Sequence, residues 1–441
     1  MKMDSEGLEN SPFDGSRFSG FQIAIVALCG LVALLDGFDS QVIGFAAPKI
    51  AEDWAVDTAV FGPIFSAGLI GLVVGGLLFG PLADRFGRKP MIIISTALFG
   101  VFCLLTAWAD TLDHLLVLRF LTGIGLGAAI PNIIALTSEY APKRLRATAV
   151  MVTVCGFPLG SAIGGLISAP LIDAYGWRTI FVLGGLPPVA LIPILMIFLP
   201  ESARFLAVSG ASEEKLGRIL RKISTDVQIP AFIAAAKKER DSEPKGFTVP
   251  QLFTEGRAAT TLLLWFAFAT SLLGFYFLVN WLPTLIRESG LPLSTAIMSS
   301  VALNLGGVVG AVALARLLDK HSPFIVLGLA YVAAAVFVPI IGFATSSVPL
   351  LLGVAALAGF ATSGGAIGSN ALAAALYPTS IRATGVGWAL GVGRGGAILG
   401  PLIAGALLGL GWTPKAIIAS AAVPALMCAA AIFVLGFAHR R

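Results

Sequence analysis

Two aspartates three residues apart, Asp36 and Asp39, interrupt the apolar stretch LLDGFDSQVIG at positions 34 to 44. On a helix such residues share one face. In a low-dielectric setting two carboxylates a turn apart resist being charged together, which disposes one of them to take up a proton. Two arginines stand in equally apolar surroundings, Arg119 in RFLTGIGLGA and Arg394 in VGRGGAILG. A guanidinium offers a planar fork that grips a carboxylate through two hydrogen bonds. The chemistry available is therefore proton exchange and anion binding. The plainer readings are a permanent ion pair, or an aspartate standing in water at the mouth of the fold.

The elements that must carry these residues are membrane helices. The chain has 441 residues, 57% of them hydrophobic and only 12% charged, with a mean hydropathy of +0.92. Apolar runs long enough to cross a hydrocarbon core of about 30 Å recur with short polar breaks. Twelve spans are expected, at 20 to 46, 59 to 82, 90 to 109, 113 to 136, 147 to 171, 177 to 199, 258 to 286, 295 to 318, 323 to 343, 347 to 372, 383 to 409 and 415 to 437. Glycine and proline inside them, as in PLGSAIGG (158 to 165), suit closely packed helices in lipid. An ionised side chain at mid-bilayer costs ~3 kcal/mol or more, so Asp36, Asp39, Arg119 and Arg394 must be paired, hydrated or used. Cys29, Cys103, Cys155 and Cys428 lie singly in four spans and read as small core residues, neither disulfides nor metal ligands. His114, His321 and His439 sit in loops or the tail, and neither a nucleophile elbow nor a phosphate loop occurs. These features argue against an enzyme, a metal site and a nucleotide-driven pump.

Charge distribution orients the spans. Of the 29 lysines and arginines, Lys49, Arg178, Arg287 and Lys415 fall in one set of loops, Arg119 and Arg394 inside spans, and the remaining 23 in the other set. Basic residues mark the cytoplasmic side, so both termini are expected inside, and the net charge of +5 needs no nucleic-acid partner. The polar residues 1 to 19 lack signal-peptide character and are expected to form a cytoplasmic tail. The hydrophilic break at 200 to 257 divides a first half (20 to 199) from a second (258 to 437), followed by a tail at 438 to 441. Within that linker Leu216, Ile219, Leu220 and Ile223 form the apolar stripe of an amphipathic helix on the inner surface. KRLRAT (143 to 148) returns as TSIRAT (379 to 384), and GPLADRFGRKP (80 to 90) returns weakly as LARLLDKHSP (314 to 323). Near-constant offsets indicate a duplicated six-helix half, the architecture in which a central site alternates its access. The fold class is thus an all-α membrane protein of two pseudo-symmetric halves.

GPLADRFGRKP closely resembles the loop between the second and third helices of the major facilitator superfamily. RFLTGIGLGA and PESARFL (200 to 206) resemble that superfamily's fourth helix and first-half exit. LLDGFDSQVIGFAAP (34 to 48) resembles the first-helix signature of its aromatic acid:proton symporters. NWLPTLIRESG (280 to 290) and YPTSIRATGVGWALGVGRGGAILG (377 to 400) resemble their seventh and eleventh helices. The resemblance implies proton-coupled uptake of a benzoate-like or phenylpropanoate-like acid across a bacterial inner membrane. The proton gradient would replace any cofactor, and a monomer would be the working unit.

By the same resemblance Arg119 is expected to pair with Asp39, the pair breaking when Asp39 is protonated, while Asp36 tunes it or touches substrate. Arg394 has Pro158 as its counterpart in the first half, so no symmetry demands a charge there, and a substrate carboxylate is its natural partner. A flat aromatic acid needs ring faces and polar handles, for which Phe38, Tyr276, Asn280, Trp281, Asn304 and Trp388 are the candidates. In the GPLADRFGRKP loop Gly80 is expected to permit close helix approach. Asp84 would oppose an arginine or helix amino terminus across the halves as a latch that holds the outward-facing state and releases during inward opening, with Arg85, Gly87 and Arg88 as its setting. Glu139 and Arg146 are expected to form a second inner-side pair. An exporter of a drug or acid, and a transporter-like sensor, stay open as alternatives. So does the choice among 4-hydroxybenzoate, protocatechuate, benzoate and 3-(3-hydroxyphenyl)propionate.

Overall fold

A computed structural model describes residues 18–223, 228–242, 249–378 and 381–439. Most of the amino-terminal tail, Thr379 and Ser380 of the repeated motif, and Arg440 and Arg441 lie outside the described residues. The first half comprises α1 (Gly20–Trp54), α2 (Phe61–Phe86), α3 (Arg88–Thr106), α4 (Leu112–Tyr140), α5 (Arg146–Tyr175) and α6 (Trp177–Phe198). Three short helices follow, α7 (Ala203–Val208), α8 (Glu213–Leu220) and α9 (Ile229–Ser242). The second half comprises α10 (Ala258–Glu288), α11 (Leu293–Leu318), α12 (Pro323–Phe343), α13 (Val348–Leu376), α14 (Arg382–Gly409), α15 (Pro414–Ser420) and α16 (Ala422–Ala438). Twelve segments are long and apolar enough to cross a membrane, α15 and α16 forming the last together. Pro424 lacks the N–H that would bond the Ser420 carbonyl, and the helix breaks there.

Several helices outrun their apolar spans. α1 passes through Pro48 to Trp54, and α4 runs to Tyr140. Hydropathy marks the stretch that needs lipid or protein cover, whereas backbone hydrogen bonding continues until a cap ends it. Ala55, in the left-handed region at φ 51°, ends α1, and Ser19 opens it with a reciprocal cap to Gln22.

The two halves repeat one packing scheme: α1 lies on α5 and α2 on α4, as α10 lies on α14 and α11 on α13. Glycine permits the α2 to α4 contact. A Cβ on Gly71 or Gly75 would stand 2.1 Å from the Phe120 carbonyl oxygen or 2.0 Å from that of Ile124, and Gly123 and Gly127 are equally tight from the other side. Across the halves α2 meets α14, α5 meets α11, and α1 meets α10.

With an even number of crossings, the chain's two ends emerge on one face, termed the terminal face here. At the opposite face one apolar core joins both halves, drawing Ile50, Phe61 and Phe65 together with Trp281, Leu285 and Ile297. Towards the terminal face each half has a core of its own, one around Ile92, Leu136 and Leu195, the other around Leu264, Leu327 and Ile432. The molecule is sealed at the opposite face and parts towards the terminal face. Leu216, Leu220 and Ile223 join the first half's core, so the amphipathic edge of α8 is covered by protein.

Candidate functional site

Asp36 and Asp39 straddle the middle of α1, which continues unbroken through Gly37. Gly37 is required by contact with α5, since a Cβ there would stand 1.9 Å from the Phe157 carbonyl oxygen. Both aspartates are buried, at 2% and 1% exposure. Arg119 Nη1 lies 3.6 Å from Asp39 Oδ1, and both side chains are closed to solvent. The guanidinium is held from behind as well: Nη2 donates to Thr106 Oγ1 at 2.8 Å and to Thr122 Oγ1 at 3.1 Å, and its carbon sits 5.1 Å from the Phe181 ring centre. Neither Asp39 oxygen has a hydrogen-bond partner among the described residues. The arginine is thus fixed by α3 and α4, whereas the aspartate is tied to it by charge alone.

A small cavity opens beside this pair, between the halves. α1 lines it with Asp39, Ser40 and Ile43, α2 with Ile64, Phe65, Gly68, Leu69 and Leu72, α4 with Arg119, Thr122, Gly123 and Leu126, and α10 with Tyr276 and Asn280. Asp36 stands one turn nearer the terminal face. Ser40 Oγ donates to its Oδ1 at 3.3 Å, and its Oδ2 is buried without a partner. The Tyr276 phenol is within electrostatic range of both Asp36 and Arg394. Arg394 reaches out of α14 to the first half, its Nη1 lying 2.7 Å from where a Cβ on Gly76 would be. Among the described residues it has neither an ion-pair nor a hydrogen-bond partner.

Other predicted residues are placed elsewhere. Phe38 turns away from the cavity into a notch between α5 and α6, where Cβ atoms on Gly164 and Gly184 would strike its ring at 1.9 and 2.9 Å; its area is spent on core packing. Trp281 is fully buried in the seal, donating Nε1–H to the Pro401 carbonyl at 3.0 Å and meeting Phe65 edge-on at 5.3 Å. Asn304 is buried on α11 and donates to the Ser300 carbonyl of its own helix at 2.9 Å. Trp388 is 42% exposed and stacks on Trp265 at 5.8 Å, nearly two turns from Arg394 towards the terminal face. None of these four lines the cavity.

The terminal-face loop also departs from expectation in detail. Gly80 has nothing within 4 Å, so the close approach belongs to Gly71 and Gly75 one or more turns earlier. The ion pair described for Asp84 is with Arg88, one turn on in the same half, at 2.8 Å. Arg85 projects over the Phe86 ring. Gly87 takes φ +102°, and a Cβ there would strike the Glu201 carboxylate at 2.3 Å. That carboxylate caps α3, accepting from the amides of Arg88 at 2.8 Å and Lys89 at 3.1 Å. Glu139 forms no ion pair with Arg146. It accepts a hydrogen bond from Ser202, which α7 brings back under α4, while Arg146 is exposed at the start of α5.

Sequence reasoning missed Thr106, Thr122, Ser40 and Phe65 as site residues and Glu201 as the cap. Thr122, three residues from Arg119, was legible as a neighbour on the same helical face. The others come together only through tertiary packing.

Set beside known proteins, the chain matches the family model of the Major Facilitator Superfamily over residues 29–347 and 301–441. It is 43% identical to the 4-hydroxybenzoate transporter PcaK of Pseudomonas aeruginosa, over 95% of this chain and 93% of that one. It is 41% identical to the gallate transporter of Pseudomonas putida, over 97% and 95%, and 40% identical to the 3-(3-hydroxy-phenyl)propionate transporter of Escherichia coli K12, over 93% of each. In fold it is similar to the xylose transporter XylE of E. coli in its inward-open conformation, with a TM-score of 0.76 at 19% identity over 94% of this chain and 95% of that one. A bacterial homologue of the lysosomal transporter Spinster gives 0.72 at 17% identity, over 96% and 98%. The twelve-helix fold, the match along nearly its full length and relatives of this similarity show that the chain belongs to the major facilitator superfamily, within the family that holds these aromatic-acid transporters.

Proposed function

We propose that the protein carries an aromatic carboxylate into the cell together with a proton, its central site opening to each face in turn. The observation that carries this reading is the buried Asp39 and Arg119 pair at the wall of a cavity between the halves. Protonation of Asp39 removes its ion pair with Arg119, while Thr106 and Thr122 keep the arginine in place. A buried arginine without its counter-charge is costly, so the protonation state of Asp39 and the arrangement of the halves become linked. Asp36, one turn away, tunes that equilibrium.

Arg394 supplies the fork for the substrate carboxylate. Tyr276 and Asn280, at the cavity wall, offer a hydroxyl and an amide to substituents on the ring. The names of the relatives, transporters of 4-hydroxybenzoate, gallate and hydroxyphenylpropionate, favour a hydroxylated aromatic acid. One proton moving with one monoanion transfers no net charge, so the pH gradient alone would drive uptake. The basic bias of the loops puts the terminal face in the cytoplasm of a bacterium, which makes the present arrangement inward-open. The carrier works as a monomer in the inner membrane.

Radiolabelled 4-hydroxybenzoate uptake into proteoliposomes with an imposed pH gradient tests this. Accumulation is expected to collapse with a protonophore. Asp39→Asn is expected to abolish accumulation against a gradient while sparing exchange, and full accumulation in that variant would remove Asp39 from the proton path. Arg394→Lys is expected to weaken binding, and an unchanged affinity would put the carboxylate elsewhere.

A further inference from the structure

Arg394 is anchored in one half and ends against the other, and the reason it fits there is a missing side chain. Two glycines of α2 are explained by close backbone contact: those at 71 and 75 face α4, where any Cβ would strike a carbonyl group. Gly76 differs. The nearest atom to a Cβ there is Arg394 Nη1 at 2.7 Å, followed by the Gly127 carbonyl oxygen at 3.4 Å and Arg394 Cζ at 3.7 Å. The obstruction is therefore the tip of a side chain delivered by α14. Its position is one turn beyond Leu72, a residue of the cavity wall, on the side of the terminal face. The Tyr276 phenol, also at that wall, is within electrostatic range of the same guanidinium.

We propose that Gly76 is a positioning residue for the substrate: its bare backbone seats the Arg394 guanidinium at the inner end of the cavity, where that fork meets the carboxylate. This rests on the reading of Arg394 as the carboxylate ligand. A methyl group at 76 displaces the guanidinium and nothing else in the α2 to α4 seam, since the Gly127 carbonyl oxygen stays at 3.4 Å, an ordinary contact. The substitution is also favourable to the helix itself, alanine being the better helix former. A purely structural glycine would give the opposite pattern, with loss of protein and no dependence on residue 394.

The test is initial-rate uptake of 4-hydroxybenzoate by the full-length carrier in proteoliposomes, with protein quantified in the membrane. Gly76→Ala is expected to raise KM about tenfold with the maximal rate within about twofold. Gly353→Ala, on α13 with open space around it, is the control and is expected to match the parent. The decisive arm is Arg394→Lys alone and combined with Gly76→Ala. The slimmer ammonium needs no notch, so the double variant is expected to have the KM of Arg394→Lys. Parental KM in Gly76→Ala, or losses that add in the double variant, overturn the proposal. If Gly76→Ala fails to reach the membrane, recovery in the double variant supports the proposal and continued absence overturns it. Unchanged KM in Arg394→Lys itself would instead sink the carboxylate reading on which this rests.

Discussion

The two ends of the molecule are built from the same repeated helices and yet hold together differently. At the opposite face one apolar core passes from half to half, with Trp281 of α10 on Phe65 of α2 and the Ser66 hydroxyl donating to the Ile398 carbonyl at 2.8 Å. Arg287 adds an ion pair to Glu52 at 2.8 Å, and Thr58 a hydrogen bond to Glu288. Towards the terminal face each half has its own apolar core, and in the first half Glu201 caps α3, Glu139 takes Ser202, and Asp84 takes Arg88. These three carboxylates of the first half are thus occupied within it. In this arrangement apolar burial seals one face, and an ion pair and hydrogen bonds between the halves sit at that same face.

Several measurements would break or sharpen that contrast. Cysteines at Glu52 and Arg287, joined by a bifunctional thiol reagent, are expected to stop transport completely, and reductive cleavage of the linker to restore it; transport through the cross-linked carrier would mean this face never opens. Trp281→Ala is expected to cost about 3 to 5 kcal/mol by opening a cavity and freeing the Pro401 carbonyl. Thermal unfolding in detergent reads this, and a shift as small as that of a surface variant would show that the seal carries little of the stability. Glu201→Ala, which uncovers the amides of Arg88 and Lys89, is expected to cost about 1 to 2 kcal/mol. Its protease sensitivity should rise at the α2 to α3 junction and nowhere near the seal. Glu52→Gln should have the smallest effect, because exposed ion pairs contribute about 1 kcal/mol or less. Thiol labelling of a reporter cysteine beside Ile43 should speed up by no more than about fivefold, the population shift that such an energy allows.

The legible part of the fold was depth. A bilayer fixes how far along its axis each helix residue lies, so spans, halves and the common level of Asp39 and Arg119 all followed from counting. Rotation about the axis was much less legible, because these helices are apolar on nearly every side. Nothing in the sequence says that Phe38 turns into the notch of Gly164 and Gly184, or that Trp281 belongs to the seal. The partner of Glu139 was mistaken for a related reason. Arg146 is near in the chain, but the turn after α6 brings Ser202 back under α4, and a loop's return path leaves no periodic trace. The charged pair inside the spans, Asp39 and Arg119, was easier to assign, since a membrane leaves such groups few partners.

The seam of Gly71, Gly75, Gly123 and Gly127 limits how this carrier can be altered. With two backbones touching, neither α2 nor α4 can accept larger residues at those four positions, of which Gly123 lines the cavity. On the proposed reading, a different choice of acid would come from cavity-wall side chains clear of that seam, among them Ser40, Ile43, Tyr276 and Asn280. Those four positions are where a directed library for new substrates should begin.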